Sequence, residues 1–115
     1  MHTLPLVAIA FASASVGLAI AQEVILPETS TGIAEVILRR APIGTPIAAA
    51  QREMAGLGFS CGPGRGKRFG PMDGASFIYC ERKDSGSVVK RWQVALIHAQ
   101  GKVSGVQAAY NPIVP

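Results

Sequence analysis

The sequence predicts an α+β domain in which two short helices pack on a three-stranded antiparallel meander, in the order ααβββ. Three observations predict it. Apolar residues recur at helical spacing before position 58, and the clearest strand-like runs follow position 76. The connections between those runs are too short for crossover helices, so neighbouring strands are antiparallel. A chain of 115 residues supports one small domain. That size excludes a two-domain enzyme, a nucleotide-dependent motor and a multi-span transporter.

Residues 1–21 contain no Lys, Arg, Asp or Glu and read as a signal peptide. The apolar run 4–21 closes with Ala19-Ile20-Ala21 before Gln22-Glu23. Small residues at the third and first places before a polar turn suit a signal peptidase groove, which puts cleavage between Ala21 and Gln22. A retained anchor is the rival reading, since about 18 apolar residues can just cross a bilayer. Ser13, Ser15 and Gly17 weaken the run and favour removal. No Cys follows the site, so lipid attachment at a new N-terminal cysteine is not available. The mature form is expected to be periplasmic or secreted, with no membrane span. The overall 49% hydrophobic content is inflated by this leader; the remainder carries all 11 basic and 7 acidic residues, net +4, and is an ordinary soluble-domain composition.

Residues 22–30 include Pro27 and read as an extended lead-in, followed by a single domain over 31–115. Ser30 or Thr31 can cap a helix reaching Arg40, with Ile33, Val36, Ile37 and Arg40 at three- and four-residue steps and Ala41-Pro42 as its stop. A strand over 35–40 is the competing reading of Val36-Ile37-Leu38. The second helix is expected over 46–57, with Thr45 as N-cap and Pro46 in the first helical position. Ile47, Ala50, Met54 and Leu57 mark its apolar face. Gly58 and Phe59 then form a Schellman ending.

Residues 61–74 are too rich in Gly and Pro to pack on their own and read as a loop. Strands are expected over 77–82, 88–98 and 103–110, joined by turns at 84–87 and 99–102. Cys61 and Cys80 are the only cysteines, and an even count in an exported domain reads as a disulfide. Closing a loop of about 20 residues, it would stabilise by roughly 3 kcal/mol. Disulfide geometry turns Cys80 toward the end of the second helix. Period two then puts Trp92, Val94 and Leu96 in the core, and Phe77, Tyr79, Arg91 and Gln93 on the opposite face.

That aromatic and basic face is the first candidate binding surface. The second is the flexible loop with Arg65, Lys67 and Arg68, near further cations at Arg82, Lys83, Lys90 and Arg91. Another envelope or secreted protein is the expected partner, with an anionic surface as the other option; nucleic acid is not expected for an exported chain. Residues 62–68 fail as a phosphate loop, because Arg68 stands where Ser or Thr must follow the lysine. His98 is the lone histidine after the leader, no serine has a nucleophile-elbow pattern, and Asp73 and Asp84 flank turns. No spacing demands a metal, and no cofactor is expected. The reading is therefore a non-enzymatic binding module of the cell envelope. The alternative is a small inhibitor of a secreted hydrolase, whose 62–74 loop enters the target's cleft.

The run Ile43-Gly44-Thr45-Pro46 through Gly58-Phe59-Ser60-Cys61, then Trp92-Gln93-Val94-Ala95-Leu96 and Gly101-Lys102-Val103, resembles small exported proteins of the SmpA/OmlA (BamE-like) kind. The resemblance covers residues 32–110. It implies an envelope protein in which a helix pair packs on a sheet and the surfaces bind other proteins. Those relatives carry a lipid-anchor cysteine behind the signal peptide, which this chain lacks. No functional residue is carried over from them.

Overall fold

In the computed structural model, which describes residues 24–64, 68–69, 72–73 and 76–114, helix α1 (Ser30–Arg40) starts from Thr29. Thr29 is extended, and its Oγ1 accepts the Gly32 N–H at 3.0 Å. The cap therefore lies one residue earlier than expected. Ile33 and Ile37 form the buried stripe, while Arg39 and Arg40 occupy the last turn, where cations suit the helix dipole. The expected leader, with Ala19, Ala21 and Gln22, lies outside the described residues, as do Arg65 and Lys67.

Helix α2 (Ile47–Gly56) begins after Pro46, one residue late. Pro46 is extended at ψ 140° and bridges to Lys102, and the Thr45 hydroxyl donates to the Pro42 carbonyl at 2.7 Å instead of capping. The C-terminal end is a Schellman motif as expected. Gly58 has φ +87°, its N–H reaches the Ala55 carbonyl at 2.9 Å, and the Phe59 N–H reaches that of Met54 at 3.0 Å. Met54 and Phe59 both lie in the core.

Four strands form the main sheet, not three. Strands β1 (Ser60–Pro63), β4 (Phe77–Asp84), β5 (Lys90–Ala99) and β6 (Lys102–Tyr110) lie in the order β1-β4-β5-β6, all antiparallel. Between β1 and β4, strands β2 (Arg68–Phe69) and β3 (Met72–Asp73) make a separate two-stranded ribbon. The described residues of the segment expected to be a loop are thus largely paired. Cys61 stands directly opposite Cys80, and the disulfide joins them. That pairing gives β1 a register its own Ser-Cys-Gly-Pro sequence cannot specify. The β5–β6 turn places Gln100 and Gly101 at φ +56° and +76°, the twist a two-residue hairpin wants.

The inner face of the sheet carries the core. Trp92, Val94, Leu96, Cys80 and Val103 pack against Ile33, Ile37, Ala50, Met54 and Leu57. The segment ahead of α1 is part of this core and not merely a connection. Leu26 is buried, and the Trp92 indole N–H donates to the Pro27 carbonyl at 2.8 Å. Lys90 meets Glu28 at 2.7 Å, and the Tyr110 hydroxyl donates to the same carboxylate at 3.3 Å. The linker between the helices is stitched to β6, with the Gly44 N–H on the Val103 carbonyl and the Val103 N–H on the Thr45 carbonyl, both at 2.8 Å. No helix among the described residues is long and apolar enough to cross a membrane.

Candidate functional site

Strand alternation sorts the polar residues of β4 and β5 between two very different environments. On the inner side, Arg82 is only 9% exposed along its side chain. It grips Asp84 with two bonds of 2.9 Å, donates to the Leu57 carbonyl at 2.9 Å and lies 5.3 Å over the Trp92 ring. This bidentate, stacked arrangement belongs to the fold. Lys90, also on the inner side, pairs with Glu28. Its ammonium holds the Glu28 carboxyl below the ordinary range, and Glu28 in turn raises Lys90. Two cations that look like ordinary solvated charge in the sequence are therefore spent on internal pairs.

Among the described residues, no helix lies on the outer face. Cross-strand rows read Gly62, Tyr79, Ala95 and Gln107; Ser60, Glu81, Gln93 and Ala109; and then Lys83 opposite Arg91. One end of this face is sealed. Phe69 of the β2–β3 ribbon meets Phe77 edge-on, with ring centroids 6.2 Å apart at 81°. Phe77 is 1% exposed, so it sits on the expected face but is not available to a partner. Arg68 is exposed on the ribbon itself.

The other end is open and polar. Gln93 donates from Nε2 to the Tyr79 hydroxyl at 2.9 Å, and Asn111 donates from Nδ2 to Gln93 Oε1 at 2.8 Å. The three side chains thus make one hydrogen-bonded line across β4, β5 and the residue after β6. Beside it runs a groove of about 340 Å³ lined by Ser60, Cys61, Gly62, Tyr79, Glu81 and Lys83. At Gly62 the groove floor has no side chain, and no atom of the described residues stands within 4 Å of where a Cβ would point. Arg91 is half-buried, and its Nε is shut off from solvent with no hydrogen-bond partner among the described residues.

Of the expected site residues, the structure bonds Tyr79 to Gln93, puts Arg91 one row beyond Gln93 on the same face, seals Phe77 and places Arg68 apart on the ribbon. Sequence reasoning missed Ser60, Glu81 and Asn111, and named Lys83 only among the hairpin cations and Gly62 only within the 62–74 loop. Parity with Tyr79 could have placed Glu81 and Lys83 on this face; Ser60 and Gly62 needed the β1 pairing. No group of three His, Cys, Asp or Glu residues that could hold a metal occurs among the described residues. Comparisons with models of known protein families, with curated proteins and with solved structures find no match for this chain.

Proposed function

We propose that this chain is an exported, non-enzymatic interaction module of the cell envelope, whose open outer sheet face meets another protein. One observation carries the reading: the groove over Gly62 runs beside a preorganised Tyr79–Gln93–Asn111 line on a face that no helix among the described residues covers. Such a surface offers an aromatic ring, hydrogen-bonding groups and charges on a rigid sheet, the elements peptide recognition uses. The Cys61–Cys80 disulfide is compatible with an oxidising, extracytoplasmic compartment. The likeness to BamE-like proteins points to the same class of role. The hydrolase-inhibitor alternative draws less support, because Phe69, the aromatic residue of its loop, is turned onto Phe77.

Photo-crosslinking in the envelope tests the proposal. A benzoylphenylalanine at Ser60 should give a discrete protein adduct that the same group at Arg52, on the helical side, does not. Gly62→Arg should abolish it, since a Cβ at Gly62 has no described atom within 4 Å and the side chain beyond it would occupy the groove. Identical adducts from both positions, or an adduct that survives Gly62→Arg, would refute it.

A further inference from the structure

We propose that Lys83 and Arg91 together form a seat for one carboxylate side chain of an extended acidic segment of a protein partner, lying beside the β1–β4 groove. This deepens the binding-face reading and rests on it.

The first hairpin carries four cations, and alternation divides them two and two. The inner pair is matched, Arg82 by Asp84 and Lys90 by Glu28. The outer pair, Lys83 and Arg91, has no carboxylate partner among the described residues. They are also directly opposite each other across β4 and β5. The Gly64 N–H donates to the Phe77 carbonyl, so the outward-facing residues of β4 turn their backbone groups toward β1. The Asn111 N–H donates to the Arg91 carbonyl, which turns Arg91 toward β6. Both facts make Lys83–Arg91 a non-hydrogen-bonded pair, the narrow kind, with Cα atoms about 4.5 Å apart. Like charges in that register repel, and an anion shared between them reverses the sign of the interaction.

Arg91 adds a second, independent sign. Its Nε is desolvated and unpartnered among the described residues, so a donor is already stripped of water beside the site. The Gln93 amide occupies the next row of the same strand, bonded to the Asn111 amide, and supplies a polar wall. The occupant's charge pattern follows from Glu81, which stands in the row next to Lys83 and lines the groove. It repels a second anion close by. A lone carboxylate on a peptide fits this pattern, whereas a continuous polyanion or a charged bilayer would meet Glu81. The open floor at Gly62 leaves room for the peptide backbone.

The test uses the oxidised, isotope-labelled protein and a capped heptapeptide of Ala and Ser with one central Glu. Saturable amide shifts at residues 81–83 and 91–93 are expected. The Gln-for-Glu peptide should bind about tenfold more weakly, and raising salt from about 0.05 to 0.3 M should weaken the Glu peptide several-fold. Lys83→Ala changes an exposed side chain and should weaken binding about fivefold; Arg91→Lys, which keeps the charge but loses the fork, should do so by a similar factor. Equal shifts from the Gln peptide, no saturable shift, or preferential binding of phosphatidylglycerol vesicles or inorganic phosphate would overturn the proposal. If Gly62→Arg loses its envelope crosslink while the Glu peptide gives no shift, the binding face stands and the carboxylate seat falls. If the crosslink survives Gly62→Arg, both fall.

Discussion

Replacing Trp92 with Phe should loosen the join between the segment before α1 and the sheet, and the structure sets the size of the effect. Trp92 is 2% exposed, donates to the Pro27 carbonyl, and packs on Tyr110 with ring centroids 5.3 Å apart. Phe keeps most of the packing but cannot donate. Losing the bond and stranding the Pro27 carbonyl costs about 1 kcal/mol. The smaller ring leaves a void worth about 1 kcal/mol, and a weaker contact with Arg82 adds about 0.5 kcal/mol. The expected loss is about 2–3 kcal/mol, which moves a urea midpoint down by about 1–2 M at unchanged slope. Circular dichroism reads the midpoint, since the variant lacks the fluorophore. Hydrogen exchange should show faster opening of residues 24–29 in the native state. A midpoint shift below about 0.5 M with those amides still protected would mean that Trp92 does not hold this segment.

Three further outcomes follow from the same structure. The Cys61→Ala/Cys80→Ala double variant opens a link of sequence separation 19 and should lose about 3 kcal/mol in denaturant unfolding. Gly58→Ala forces a Cβ into φ +87° and to within 3.2 Å of the Arg82 side chain, and should cost about 1–2 kcal/mol by thermal melting. Lys90 holds the Glu28 carboxyl below its ordinary 4.5, so this clamp contributes fully above that value and is lost as pH falls through the lower, folded value. Glu28→Gln should therefore flatten the acid side of the stability profile at low salt, and high salt should do the same to the parent protein.

The helices were legible because punctuation marks their ends. Gly58-Phe59 after an apolar 47-50-54-57 face leaves little choice but a Schellman stop. Sheet faces were legible from parity once the expected disulfide fixed the side of Cys80, and Trp92, Val94 and Leu96 are indeed in the core. Strand β1 was not legible, since Ser-Cys-Gly-Pro has neither alternation nor β-branched residues and takes its place only by pairing with β4. The β2–β3 ribbon was hidden for a similar reason. Two-residue strands have no periodicity, and Phe69 is held by a ring contributed from elsewhere in the chain. Parity put Phe77 on the right face but could not show that this ribbon covers it. The sequence reading left Arg82 and Lys83 in one group of cations; parity could have parted them, but not shown the Leu57 carbonyl and Trp92 ring that claim Arg82.

The stitching of the inter-helix linker to β6 has a consequence for biosynthesis. Gly44 and Thr45 bond to Val103, Pro27 to Trp92, and Glu28 to Tyr110, so the first-made half of the domain finds its partners in the last-made third. Such long-range pairing defers folding until nearly the whole domain has left the ribosome. Until then the helices have little to rest on and remain open to proteases. A chain stopped before position 102 should consequently be degraded, not retained as a smaller stable fragment.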